Sequence, residues 1–386
     1  MRMMNILHVI AGIDPISGGT TTALRNILLM ESNLGINHEV LTINWGPSDP
    51  EILGMVPVYA AVPAFPARYA RSHDAIRWMR DNARRFDLCL IHGIWSWLPW
   101  KVAGILTGMK KPYIICPHGS LDPFDIRKKK YAKKILGAVF VRGMLGRAAA
   151  VLCTSEKEAE LVERYGSHPR MTVLPLPVPF KKNTTDGKVF RKRWGLNDDD
   201  FVFLFLSRIN YKKGLEILIP AFAKLVSEIP NARLVIAGSD REGYSALVKH
   251  WIMEWNIQPR VIFPGFIQGQ EKEQALAGSD SFILPSLNEN FALAVVEALA
   301  SGLPVIISEN VYIKEEIMNA NAGWVCKFSV DSLFEVMKHA LLHKTDYGDK
   351  RKNAVAFARR YSPEQIGTSY LTLFEELLNQ GGKPLQ

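Results

Sequence analysis

"SFILPSLNENFALAVVEALASGLPVIISEN", residues 281–310, reads as one complete strand–helix–strand unit. "SFILPS" is a short apolar run with strand character, and "PVIISEN" is another. Between them "FALAVVEALASG" has the pattern of a helix, with Gly302 as its C-terminal stop. Two strands joined through a helix make a parallel crossover, the building block of a sheet with helices on both faces.

The same alternation runs outward in both directions. "NILHVIAG", "HEVLTIN", "LCLIHGI", "PYIICPHG" and "AAVLCTS" read as strands before it, separated by amphipathic segments such as "TTTALRNILLMESNLG" and "KEAELVERYG". "VLPLPVPFKKNTTDGK", residues 173–188, interrupts the series with prolines and polar residues and reads as a linker. The alternation resumes with "FVFLFLSR", "ARLVIAGS" and "RVIFPGF". We therefore expect two doubly wound α/β domains, 1–178 and 179–361, and a final helix within 362–386 packing back on the first domain. Ligands of such sheets bind at the carboxyl ends of the strands, so the expected site is a central cleft that the two domains face.

Within the opening stretch Glu289 and Glu297 stand out. Glu289 falls in the loop at the helix start and Glu297 about two turns inside, a span of about 12 Å if helical. As structure alone, Glu289 would complement the helix dipole and Glu297 would be an exposed helix residue. Against this, Val295, Val296, Ala298 and Leu299 surround Glu297 with apolar side chains, and a carboxylate there needs a donor such as ribose hydroxyls. The amides of Phe291, Ala292 and Leu293, unpaired at a helix start, could hold phosphates.

Other stretches carry charge or glycine at strand ends. In "SRINYKKGLEILIPAFAKL", residues 207–225, Arg208 and Lys213 flank a turn before a helix and suit a diphosphate, or else form a solvated basic turn. "DPISGGTTT", residues 14–22, places Gly18 and Gly19 between a strand and a helix, as a phosphate-approaching loop or a plain tight turn. It lacks the dinucleotide glycine pattern, and no acidic residue ends the second strand. His118 in "PHGSLDPF" and His92 in "IHGIWSW" both end strands. Asp198, Asp199 and Asp200 include a formal DxD but read as a turn beside the linker, so no metal site is expected.

Composition narrows the class. At 386 residues, 48% hydrophobic and 22% charged, the chain is an ordinary soluble globular protein, with no apolar run near the ~18 residues of a membrane span. The N-terminus reads as a strand and not a signal peptide. Its four cysteines are spaced for neither disulfide staples nor zinc and read as core fillers in a reducing, cytoplasmic setting. The net charge is +9, with basic clusters at "RKKKYAKK", residues 127–134, and around 181–195. A basic helix beside "ILGAVFV" could lie on anionic lipid, placing the protein on the inner face of a membrane, or could simply be solvated. No nucleic-acid-binding signature is present.

Taken together, Arg208, Lys213, Glu289, Glu297 and the following "SGLPVI" resemble the family 4 glycosyltransferases of the GT-B fold. "NENFALAVVEALASGLPVI" resembles that family's donor motif and "SRINYKKGLEILIPAFAKL" its phosphate-binding segment. The resemblance implies a retaining, metal-independent transferase that needs no cofactor. It would move a sugar from a nucleoside diphosphate sugar to a hydroxyl of a polysaccharide or lipid-linked acceptor. It implies that Arg208 and Lys213 bind the pyrophosphate, Glu289 the transferred sugar and Glu297 the ribose. Asn290, Phe291, Ala292 and Leu293 would line the donor, with Gly18 and Gly19 near its phosphates. His118 would be the catalytic-site histidine, with His92 and Asp122 on the acceptor side. Ala292 stands where the family commonly has glycine. The alternatives are a sugar-nucleotide epimerase or hydrolase of the same fold, and a non-catalytic sugar-nucleotide-binding subunit.

Overall fold

A computed structural model of the chain describes residues 3–66, 69–123, 126, 130–166, 170–180, 185–343 and 347–379. It divides into two compact units, one of residues 1–177 with 363–386 and one of residues 178–362.

The first unit is built on seven parallel strands: β1 (Asn5–Ile10), β2 (Asn37–Ile43), β3 (Val58–Ala61), β4 (Leu88–His92), β5 (Tyr113–Cys116), β6 (Ala150–Cys153) and β7 (Met171–Val173). Their spatial order is β3-β2-β1-β4-β5-β6-β7. The direction of winding therefore reverses between β1 and β4, the point at which the following loops splay apart and leave room for a ligand. The inner strands are buried on both faces, which is why they read as unbroken apolar runs. The helix Pro363–Asn379 belongs to this unit: Ile366, Tyr370, Leu373, Phe374 and Leu377 join Ile6, Met30, Leu90 and Ile114 in one core. The Tyr370 hydroxyl donates to the Pro175 carbonyl at 3.1 Å.

The second unit repeats the plan with β8 (Phe201–Leu206), β9 (Ala232–Ala237), β10 (Val261–Gly265), β11 (Ser281–Leu284), β12 (Val305–Ser308) and β13 (Gly323–Cys326). Their order is β10-β9-β8-β11-β12-β13, again all parallel, with the reversal between β8 and β11. The opening stretch of sequence supplies β11, the helix Leu293–Ala300 and β12. Three strands had no distinct sequence signature: β3, β7 and β13 are short edge strands that are only partly buried.

All four cysteines are free and buried. Burial pushes the thiols of Cys89 and Cys326 up to about 12.

Candidate functional site

In the second unit the chain leaves β8 at Ser207. Arg208 is exposed, with no ion-pair or hydrogen-bond partner among the described residues. Asn210 caps the next turn, its side chain accepting from the Lys212 amide at 3.1 Å, and Gly214 then adopts φ 74°. A Cβ at Gly214 would lie 1.8 Å from the Pro285 carbonyl oxygen, so only glycine lets the loop after β8 press against the loop after β11. The Leu287 amide stitches the two loops by donating to the Lys212 carbonyl at 2.8 Å.

That close approach brings Lys213 onto the carboxylate of Glu289 as a hydrogen-bonded ion pair, with side chains only 11% and 14% exposed. The Ser286 hydroxyl donates to the same carboxylate oxygen at 2.9 Å. The Glu289 backbone is fixed by a parallel bridge to Val311, and the Tyr312 amide donates to its carbonyl at 3.1 Å. A cation and an anion thus meet at the winding reversal, nearly out of water, where each is worth more to a ligand than on an open surface.

The helix Leu293–Ala300 starts beside them. Ala292, its N-cap, has φ 54° and ψ 56°, a left-handed conformation that costs a non-glycine residue about 1–2 kcal/mol. Glycine would adopt this conformation without that cost. Among the described residues the amides of Phe291, Ala292 and Leu293 have no acceptor, and Asn290 before them is half-buried. They form a short run of donors at a helix N-terminus.

Glu297 requires two corrections. It lies one turn inside the helix and not two, because the helix begins only at Leu293. Its carboxylate also does not wait unpaired for a hydroxyl, since Lys272 of the helix Gly269–Ala277 reaches it at 2.7 Å. Sequence reasoning missed Lys272 because nothing local marks it; only the packing of two helices brings it there.

In the first unit Gly18 has φ 80° and ψ −137°, and the helix Gly19–Asn33 starts behind it, with the Thr21 and Thr22 amides donating to the Gly18 carbonyl. His118 follows β5 with φ 52°, uncommon for a residue with a side chain. The loop is held by Glu158, whose carboxylate accepts from the Gly119 amide and from the Thr154 amide at 2.7 Å. Burial lowers the His118 imidazole below its ordinary value, and the Glu158 charge opposes that shift.

His92, the last residue of β4, does not line an open face. It is buried and stacked on His118 with ring centroids 5.2 Å apart, and its Nδ1 lies 2.9 Å from His118 Nε2. Its other nitrogen lies 3.0 Å from Nδ1 of His8, in the middle of β1. Both His92 ring nitrogens thus face other histidines. Burial, and then the neighbouring His118 and His8, press its own titration well below the usual range. Asp122 is buried too, its amide donating to the Gly119 carbonyl at 3.1 Å.

Two groupings bear on metal binding. The ligand atoms of His92, Cys116 and His118 lie within 4.8 Å of one another. Both His92 nitrogens are engaged by other histidines, whereas a metal ligand needs a free imidazole lone pair, and burial raises the Cys116 thiol. Asp198 and Asp199 form an exposed turn, while the buried Asp200 carboxylate binds Arg233 at 2.9 Å and the Asn197 amide at 2.8 Å. Neither grouping fits a metal.

Comparison with known proteins agrees with this geometry. Residues 186–361 match the family model described as "Glycosyl transferases group 1", and residues 18–177 match a "Glycosyl transferase 4-like domain". The alpha-monoglucosyldiacylglycerol synthase of Streptococcus pneumoniae is 29% identical over 261 residues, covering 63% of this chain and 57% of that protein. The chain thus spans a little over half the length of that relative. A GDP-mannose:cellobiosyl-diphosphopolyprenol alpha-mannosyltransferase of Xanthomonas oryzae pv. oryzae is 21% identical over 384 residues, covering 97% of both chains. The crystal structure of Anabaena HepE in complex with UDP-glucose superposes with a TM-score of 0.80 at 18% identity, over 97% of this chain and all of the other.

Proposed function

The chain belongs to the family 4 glycosyltransferases, and from that premise we propose that it is a retaining enzyme transferring a sugar from a nucleoside diphosphate sugar to a saccharide or lipid-linked acceptor. The observation that carries the reading is the buried Lys213–Glu289 pair at the β8/β11 reversal, beside exposed Arg208 and the free amides of residues 291–293. Two cations and a row of amides suit a diphosphate. The carboxylate next to them suits the hydroxyls of the sugar that diphosphate carries.

In this reading Lys213 leaves its carboxylate partner in part for the donor's phosphate, and Arg208 takes the second phosphate. Glu289, half released, accepts from sugar hydroxyls, while Glu297 with Lys272 meets the ribose. The acceptor hydroxyl attacks the anomeric carbon on the face from which the nucleoside diphosphate departs. Its proton passes to the leaving phosphate oxygen, and Arg208 and Lys213 stabilise the charge that grows there. No metal or organic cofactor is required. On the first unit His118 contacts the sugar, with Gly18, Gly19 and Asp122 supporting donor and acceptor. The names of the Streptococcus and Xanthomonas relatives support a lipid-linked acceptor, since one acts in glucosyldiacylglycerol synthesis and the other on a diphosphopolyprenol.

Among the described residues no helix is long and apolar enough to cross a membrane. The segment Lys130–Gly146 nevertheless carries an exposed apolar stripe. Tyr131, Ile135 and Val139, one helical turn apart, are 82%, 65% and 61% exposed beside Lys133 and Lys134. Arg127, Lys128 and Lys129 lie outside the described residues. An apolar stripe edged by lysines suits the surface of an anionic bilayer.

A thermal-shift screen of UDP, GDP, ADP and their sugars tests the donor reading. One nucleotide class should raise the melting temperature by mass action, and no shift with any of them would refute it. Co-sedimentation with vesicles tests the surface: binding should require anionic lipid and fade with salt.

A further inference from the structure

Behind His118 lies a row of buried groups that the proposed transfer reaction does not use. His118 Nε2 is 2.9 Å from His92 Nδ1, His92 Nε2 is 3.0 Å from His8 Nδ1, and His8 Nε2 is 2.8 Å from the carboxylate of Glu31. The rings are stacked nearly parallel, at 9° and 20°. His8 and Glu31 are fully buried. A carboxylate at the blind end of three imidazoles costs free energy to bury, and packing alone does not call for it.

The protons in this row follow from the anchor. Burial by itself would raise the Glu31 carboxyl, but His8 and His38 outweigh it and hold it below the ordinary carboxylate range, so it is ionised and can only accept. His8 therefore donates through Nε2. A neutral imidazole has one N–H, so His8 accepts at Nδ1 from His92 Nε2, and His92 accepts at Nδ1 from His118 Nε2. His38, with Nδ1 3.2 Å from Glu31, is the second imidazole beside that carboxylate. Its Nε2 faces the Ser32 hydroxyl at 3.2 Å, and that hydroxyl already donates to the Leu28 carbonyl.

We propose that Glu31, His8 and His92 are positioning residues that hold His118 as the Nε2–H tautomer, leaving its Nδ1 as a hydrogen-bond acceptor for a substrate hydroxyl. The inference rests on the reading of His118 as a group that meets substrate. Glu158, gripping the Gly119 amide, fixes the ring's backbone; the row fixes which nitrogen is bare.

Nitrogen-15 NMR of histidine-labelled protein at neutral pH reads the tautomers directly, with signals assigned from His92→Gln and His118→Gln variants. Bare Nδ1 on His8, His92 and His118 is expected; a proton on His118 Nδ1 overturns the proposal. Release of nucleoside diphosphate from a panel of UDP- and GDP-sugars reads the consequence. Glu31→Gln should lower kcat roughly 10- to 100-fold with donor KM unchanged. If His118→Gln abolishes turnover while folded Glu31→Gln turns over at the wild-type rate, the row positions nothing and the proposal falls, although the reading of His118 survives. If His118→Gln itself turns over normally, that underlying reading falls.

Discussion

At the strand ends of the second unit the candidate groups are formal charges carried by two short motifs, whereas in the first unit they are imidazoles gathered from β1, β4 and the loop after β5. Both clusters sit where the strand order reverses, the same place in the same kind of sheet. They differ in what holds them. Lys213 and Glu289 are aligned by one close approach of two loops at Gly214, and each could find water if those loops parted. His8 and His92 are core residues whose polar side-chain partners, among the described residues, are one another, His118 and a buried carboxylate. The charged cluster can change partners when an anion arrives. The histidine row can only present a fixed face.

Lys213→Ala is the largest blow to the charged cluster. It should lower kcat/KM by about 2–4 kcal/mol of transition-state stabilisation, the scale expected when one charged partner is removed from a dry site. Steady-state kinetics on the folded variant checks it, and unchanged kinetics would reduce the pair to a structural salt bridge. Gly214→Ala attacks the loop packing instead of the charge. With its Cβ driven into a backbone oxygen, stability should fall by about 2–3 kcal/mol, read as a lower urea midpoint at constant slope. No change in midpoint would mean that the two loops are not pressed together.

Glu297→Gln should weaken nucleoside diphosphate binding by about 1–3 kcal/mol, raising donor KM more than it lowers kcat. The reverse split would place Glu297 on the reacting sugar. Smaller still, Ala292→Gly should stabilise the protein by under about 1 kcal/mol, because relief of the left-handed strain exceeds glycine's added chain entropy only slightly. A loss of stability would show that the methyl group packs usefully. Excess EDTA should leave turnover unchanged; loss restored by magnesium or manganese would bring the Asp198–Asp200 turn back into consideration.

The same contrast governs what the sequence discloses. Strands buried on both faces are visible as apolar runs, so the two doubly wound sheets were legible, while β3, β7 and β13 lie at sheet edges, are only partly buried and show no such run. Arg208, Lys213 and Glu289 were legible as charges at strand–helix junctions, and Glu297 as a carboxylate among apolar helix residues. His8 and Glu31 were not singled out. Their signals were present: a histidine in the middle of "NILHVI", and a glutamate on the stripe Leu24, Ile27, Leu28, Glu31 that the helix buries. What joins them is strand order, which local pattern does not encode. The pairing of His92 with His118 was hidden for the same reason, and Lys272 because helix packing brings it to Glu297.

Calorimetric titration of the nucleoside diphosphate found by the thermal-shift screen, into wild type, Lys213→Ala and Glu289→Gln, tests most directly whether the β8/β11 ends form a diphosphate grip. If Lys213 passes from carboxylate to phosphate, Lys213→Ala should weaken binding by roughly tenfold or more. Glu289→Gln should leave it unchanged or tighter, because the lysine then has no competing anion. Equal weakening by both substitutions would mean that the ion pair is a structural unit and that the donor's phosphates lie elsewhere.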